Sequence, residues 1–351
     1  MNPPGHQFLL LLLLLLAVVG PLGGCASSPP TFSVTSGPPL PQGRGGHAAG
    51  LVDGQIVVTG GTNWTADKQT KFWLHETVVL EDGTWRAGPA LPYPGALAAF
   101  AHDAIGLYVA GAVGDARGIG ALRLPPAPEI QQPRRVFRLS GHDSGATWQE
   151  LAPLPRPTTA AAGAILDGTF YIFGGVNSEG VSKQMFALDT ADPAASWRRC
   201  ADLPGPARAL ATLASGGGSL YLLGGADSWE PLNPMRDTYR YDPKRDKWQR
   251  MKDLPWPSYA MVGGLVDERR ILLTGRVDRD GIHKGIWLFD LANGDCLPVG
   301  EAIVPAATAA LVRVSPNEWW VIGGEPDLDR NRAKIVTIIR RRAPQRAQRQ
   351  R

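Results

Sequence analysis

An all-β chain closed into a propeller of six four-stranded blades is what this sequence predicts, on three observations. A hydrophobic strand ending in small residues recurs six times: QIVVTGG (55–61), GLYVAGA (106–112), TFYIFGG (169–175), SLYLLGG (219–225), RILLTGR (270–276) and WWVIGG (319–324). Taking positions 61, 111, 175, 225, 275 and 324 as the second glycine gives intervals of 50, 64, 50, 50 and 49. Ala110 and Thr274 then stand in the first-glycine place. A second marker runs in phase, because Trp85, Trp148, Trp197 and Trp248 each precede a Leu-Pro pair by six residues. Third, 42 Gly, 31 Pro and 11 Trp suit many short strands joined by tight turns, not helices. A period near fifty residues is that of kelch-type blades.

Each unit divides into four strands, A to D. The Ala- and Gly-rich stretch after Leu-Pro, such as Thr158–Ile165 or Ala207–Ala214, is strand A, whose small side chains fit the crowded axis. The repeated strand before the glycines is B. Alternating stretches at Thr77–Leu80, Val136–Leu139, Met185–Asp189, Thr238–Asp242, Ile286–Asp290 and Ile335–Ile338 are C. The Trp-bearing strand is D, with its indole filling the gap between blades. The sixth unit has no D strand of its own. Val34, six residues before Leu40-Pro41, occupies the Trp register, so Phe32–Ser36 is expected to complete the last blade and leave few open sheet edges. The propeller is accordingly placed at 32–342, after a linker at 26–31.

The chain begins with an export signal, not a fold element. Phe8–Val19 is an apolar run too short to span a bilayer core of about 30 Å. Leu22-Gly23-Gly24-Cys25 follows it and resembles a lipobox, so residues 1–25 read as a lipoprotein signal with Cys25 as the lipid-attachment site. The expected location is therefore outside the cytoplasm, held to a membrane by acyl chains. The net charge of +4 is misleading: six arginines lie within 340–351 and 1–25 carry no charge, so the body sums to −2 and offers no basic face to nucleic acid. Residues 343–351 read as a solvated, disordered Arg-rich tail. Cys200 and Cys296 are the remaining cysteines, and neither has a second Cys or a His at metal-ligand spacing.

Topology directs attention to one face. In an up-and-down blade the D-to-A and B-to-C connections emerge together at one mouth of the axis. That mouth collects Tyr93, Arg156, Arg208 and Tyr259 after Leu-Pro. After the glycines it collects Asn63, Trp64, Asp115, Arg117, Asn177, Glu179, Asp227, Trp229, Arg276, Asp278, Glu325, Arg330 and Arg332. The long interval places its extra residues at 113–135, a B-to-C connection on the same mouth that reads equally as a lid or as a decorated loop. Asp143-Ser144-Gly145-Ala146-Thr147-Trp148 matches most of a sialidase Asp-box, with Gly141 where its Ser belongs. That box is a turn between C and D on the far face and decides nothing about activity.

The run FALDTADPAASWRRCADLPGPARALATLASGGGSLYLLGG (186–225), with Pro206-Ala207-Arg208 before strand A and Gly324-Glu325 after strand B, resembles the kelch-repeat N-acetylneuraminate epimerases. The likeness extends over nearly all of 32–340, with the blade order shifted by two as in a cyclically permuted branch. It implies anomerisation of N-acetylneuraminate or a related acidic sugar, through ring opening, rotation and reclosure. A carboxyl with water or with a cation suffices for those proton transfers, so no cofactor or metal is called for. The resemblance makes Glu325 the proton acceptor and puts the family's arginine at 331, which is Asn. Of the flanking Arg330 and Arg332 the second is favoured, as the cation for the substrate carboxylate, because Arg330 follows Asp327 and Asp329 and can pair with them. The substrate carboxylate asks for arginine, whose planar fork binds it through two bonds. Arg208, Asn63, Trp64, Arg276 and Glu179 are the substrate-binding candidates. Each has a plain alternative: a rim carboxylate at Glu325, a structural ion pair at Arg208, a wedge between blades at Trp64. A non-catalytic kelch module binding a glycan or protein, or a sialidase-like glycosidase, are the other functions this fold admits.

Overall fold

The computed structural model describes residues 30–114, 134–143, 145–192 and 194–342. They form six four-stranded antiparallel sheets, each in the order A-B-C-D, and no helix. Blade 1 spans Ala48–Val52, Gln55–Thr59, Thr77–Glu81 and Thr84–Gly88; blade 2 spans Ala99–His102, Leu107–Ala110, Val136–Leu139 and Trp148–Glu150. Blades 3, 4 and 5 start at Ala162–Leu166, Thr212–Gly216 and Val262–Asp267. Blade 6 joins Ala310–Ser315, Glu318–Ile322 and Val336–Arg341 to the amino-terminal strand Phe32–Ser36, in register from Phe32 opposite Arg341 to Ser36 opposite Thr337. The expected closure is therefore present. Beyond it, the Arg342 amide donates to the Thr31 carbonyl at 2.8 Å, so both described ends lie side by side.

The core lies between blades. Six clusters of buried side chains each combine strands from two successive blades, as where Tyr171 and Phe173 of blade 3 meet Leu220, Leu222 and Tyr239 of blade 4. The four D-strand tryptophans bracket this packing. The indoles of Trp85, Trp148, Trp197 and Trp248 donate to the carbonyls of Pro38, Pro89, Ala152 and Ala201, at 2.8–3.0 Å. Each acceptor sits two residues before the Leu-Pro pair of the preceding blade. The indole thus fills the gap and also satisfies a carbonyl there, which is why the two markers stay in phase.

One part of the repeat alignment is corrected. Gly111 and Gly275 occupy the first-glycine position, with Gly60, Gly174, Gly224 and Gly323, not the second. At all six, taken in chain order from Gly60 to Gly323, a Cβ would run into a main-chain carbonyl of the next blade: Gly95, Thr158, Arg208, Ser258, Ala306 and Arg44 respectively. That collision makes the first glycine obligatory. The second position carries a side chain only in blades 2 and 5, where Ala112 and Arg276 stand; at Gly61, Gly175, Gly225 and Gly324 a Cβ would also meet an atom within 3.0 Å.

Cys25, the leader and linker up to residue 29, Asp115, Arg117 and most of the 113–135 loop, and the tail 343–351 lie outside the described residues. Cys200 and Cys296 are both free thiols.

Candidate functional site

The mouth is built on a closed circle of main-chain hydrogen bonds. The amides of Gly46, Leu97, Ala160, Leu210, Ala260 and Thr308 donate in turn to the carbonyls of Thr308, Gly46, Leu97, Ala160, Leu210 and Ala260, over 2.7–3.1 Å. Every member has φ between 50 and 65°. Five of the six are not glycine, and holding such residues in the left-handed region costs about 1–3 kcal/mol each. The circle repays this by pairing twelve polar groups at the most crowded point of the axis. Just before it in sequence, each blade makes a bridge to the residue following its glycines: Gly45 with Thr62, Ala96 with Val113, Thr159 with Val176, Ala209 with Ala226, Tyr259 with Val277, and Ala307 with Glu325.

Those bridges fix which residues are equivalent. Five blades put Thr, Val, Val, Ala and Val beside the circle; blade 6 puts Glu325 there. The circle member nearest it, Thr308, is also the only circle residue with a polar side chain. Thr308 Oγ1 donates to Glu325 Oε1 at 3.0 Å, and Arg332 Nη1 lies 3.4 Å from Oε2. Arg332 Nε reaches Thr62 Oγ1 at 3.4 Å and Nη1 donates to the Asn331 carbonyl at 2.9 Å. The Arg332 side chain is 5% exposed and Glu325 is 29% exposed, so the carboxylate meets solvent while its partner is packed beneath it. Burial draws the Arg332 guanidinium below its ordinary pKa, against the opposing charges of Glu325 and Asp327. Tyr259, on the neighbouring blade, is pushed upward by burial first and then by Glu325 and Asp278. A carboxylate, a guanidinium and a phenol thus share one sector of the mouth, over blades 5, 6 and 1.

The other sequence candidates fall differently. Arg208 is corrected from a substrate-binding to a structural residue: its side chain is fully buried and its Nη1 and Nη2 grip Asp237 at 2.9 and 2.8 Å. It also donates to the carbonyls of Gly224 and Pro206. Arg44 holds the same place in blade 1, two residues before the circle, donating to Gly60 and Glu76. Two arginines at one repeat position were the available signal that this place belongs to the blade and not to a ligand. Asn63 and Trp64 are likewise engaged by the protein. The Asn63 amide nitrogen donates to Gly43 and its oxygen accepts from the Trp64 amide, while the Arg330 guanidinium lies 4.5 Å from the Trp64 ring centroid. Arg330 therefore stacks on Trp64 and donates to the Lys68 carbonyl, and Asp327 pairs instead with Asn331.

Glu179, 69% exposed, pairs with Arg156 on blade 3, across the axis from Glu325. Arg276 pairs with Asp278, which also meets His283 Nε2 at 2.8 Å, and stacks over Trp256. That cluster borders the Glu325 sector through Tyr259. Thr308 and Lys71 went unread in the sequence, because the residue type changes from blade to blade at both places.

The axis also holds a cavity of about 300 Å³, opening on the far face and lined by strand A residues including His102, Ser215 and Arg313. Its walls are mostly Ala, Gly and Leu. The Arg313 Nη2 already donates to the carbonyls of Val266 and Pro316. Too few polar groups remain for a polyhydroxylated ligand, so the cavity does not displace the mouth as the candidate site.

Residues 178–295 match the family model of N-acetylneuraminate epimerase. That segment runs from the blade 3 rim to the start of the last strand of blade 5; it contains Arg208, Arg276 and Glu179 but neither Glu325 nor Arg332. A curated relative, Kelch-like protein 35 of Mus musculus, is 28% identical over 162 residues, covering 46% of this chain. The alignment covers 26% of that protein, so the chain spans about a quarter of the relative's length.

Proposed function

We propose that this chain, a kelch-type propeller of the N-acetylneuraminate-epimerase-like kind, interconverts the anomers of N-acetylneuraminate or a related acidic sugar, with Glu325 as the proton-transfer group. One observation carries the reading: the position after the glycines is small or apolar in five blades and a solvent-facing carboxylate, held by Thr308 and Arg332, in the sixth. Glu325 takes the proton of the anomeric hydroxyl while water gives one to the ring oxygen, the bond from the anomeric carbon to the ring oxygen breaks, and the ring opens. The exposed carbonyl turns and the same groups run in reverse to close the ring on its other face. Arg332, with Nη1 3.4 Å from Glu325 Oε2, keeps the carboxylate oriented. Tyr259 supplies a hydroxyl on the adjacent wall.

Proton NMR of freshly released α-N-acetylneuraminate, with and without protein, tests the activity. Glu325→Gln keeps size and hydrogen-bonding reach but not proton transfer, and is expected to lower the rate by about 10²–10⁴-fold with folding intact. Unchanged rates in that variant would remove Glu325 from the mechanism. The likeness to a kelch-like protein favours a second reading, a non-catalytic binding module; a parent protein that accelerates no anomerisation would select it. We further propose export and lipid anchoring through Cys25, supported by the Phe8–Val19 run and the Leu22–Cys25 motif. Cys25→Ser is then expected to move the protein from the membrane fraction to the soluble one.

A further inference from the structure

We propose that Lys71 is the cation that recognises the carboxylate of the sugar, and so sets the preference for acidic over neutral substrates. This deepens the mutarotase reading and rests on it. Arginine is the residue chemistry would first choose, but the arginines of this sector are occupied. Arg332 is packed away against Glu325, Thr62 and Asn331; Arg276 is paired with Asp278; Arg330 is stacked on Trp64 and bonded to Lys68.

Lys71 lies on a short hairpin, Thr62–Trp64 paired with Lys71–Trp73, that rises between the blade 1 glycines and strand C. Its register opposes Thr62 to Trp73 and Trp64 to Lys71. In a two-stranded ribbon opposed residues, and residues two apart, share a face. Thr62, Trp64, Lys71 and Trp73 therefore share one. Thr62 on that face contacts Arg332, and Trp64 carries Arg330, so the face turns toward the segment Glu325–Arg332 of blade 6. The Lys71 ammonium is held 5.8 Å from the Trp73 ring centroid. Among the described residues no carboxylate pairs with it within 4.0 Å.

Lys71 and Arg332 thus both act on Glu325, whose carboxylate is already engaged by Thr308 and Arg332. Burial, then the Arg332 charge, hold the Lys71 pKa below its ordinary value, while Glu325 pulls the other way. The ammonium is partly desolvated and incompletely compensated. An incoming carboxylate restores the balance without competing for the hydrogen bonds that orient Glu325, which an anion on Arg332 would do.

Titration calorimetry with N-acetylneuraminate and with its uncharged methyl ester tests this, using the full chain carrying Lys71→Met or Lys71→Arg. A lost charge-assisted contact predicts roughly ten- to a hundredfold weaker binding of the acid in Lys71→Met. Ester affinity is expected to stay within about twofold, and Lys71→Arg to recover most of the acid affinity. Equal weakening of acid and ester, or no weakening of the acid, overturns the assignment of Lys71 while leaving the mutarotase reading intact. A parent protein that binds neither compound defeats both. Far-ultraviolet circular dichroism and melting curves of the two variants separate a misfolded hairpin from a lost contact.

Discussion

Replacing Arg208 by Met tests directly whether the buried arginine belongs to the fold or to a ligand. The side chain is fully buried, its partner Asp237 is 10% exposed, and two nearly parallel bonds of 2.8 and 2.9 Å join them. Arg208 also holds the Gly224 carbonyl at the end of strand B, so Arg208→Met strands a buried carboxylate and removes a donor from that carbonyl. Leaving one member of such a pair unmatched typically costs about 3–5 kcal/mol, a large part of a domain's stability. Burial alone would raise the Asp237 pKa, but the hydrogen bonds and charge of Arg208 outweigh it and leave the carboxyl below its ordinary range. The sign follows: a carboxyl depressed on folding stabilises above its unfolded pKa of about 3.9, and that contribution is lost as pH falls through the folded value. Urea denaturation should show a lower midpoint for Arg208→Met at pH 7, and a difference that narrows in acid. The double variant Arg208→Met/Asp237→Leu should recover at least half of the loss. If Arg208→Met keeps parental stability but no longer binds N-acetylneuraminate, the structural role assigned here is wrong.

Other outcomes are expected on the same footing. Deleting residues 30–42 removes the strand from Phe32 to Ser36 and its packing on Trp319, so melting should fall by well over 5 °C; an unchanged melting temperature would refute closure by that strand. His47 is held to a pKa of about 3, by burial first and then by Arg44, so the folded state resists its protonation. Stability should therefore decline by up to about 1.4 kcal/mol per pH unit as pH falls from 6.5 toward 3, and His47→Gln should flatten that slope in denaturation curves. Cys200 and Cys296 should react slowly with a thiol reagent at pH 8 in the native protein and fully in denaturant. Burial raises both thiols, Cys296 to about 12, and mass spectrometry should find no crosslink between them.

The architecture was legible because packing forces the marks that reveal it. A first glycine is imposed wherever strand B ends under the next blade's carbonyl, and in four blades a Trp on strand D fills the gap and satisfies the carbonyl two residues before Leu-Pro. Glu325 was singled out by the family resemblance, and the series of small residues it interrupts becomes visible only once the bridges fix which positions are equivalent. Arg208 was misread because its position in sequence, after Leu-Pro, gives the face it starts from but not the direction of its side chain, which runs back into the blade. Asn63 and Trp64 are engaged by rim neighbours, Gly43 and Arg330, that lie far from them in sequence. Lys71 escaped notice because the rim hairpin, formed also in blades 3 and 5, differs in length and sequence each time, and only its pairing register places Lys71 with Thr62. The difference between Ala110 and Ala112 as the deviant residue could not be decided from spacing, because a shift of one residue is absorbed in the loops on either side.

The closing strand has a consequence for presentation. Strand D runs toward the mouth, so Phe32 begins at the far rim; strand C runs away from the mouth, so Arg341 ends there too, and Arg342 is bonded to Thr31. Both ends of the propeller thus leave from the side opposite Glu325. Whatever is attached ahead of Thr31, whether an acyl anchor, an affinity tag or a solid support, becomes a floor on which the propeller stands with its Glu325 sector facing upward into the medium. A sensor surface or vesicle loaded through the amino terminus should consequently retain sugar access, and the same coupling made through a loop of the mouth should not.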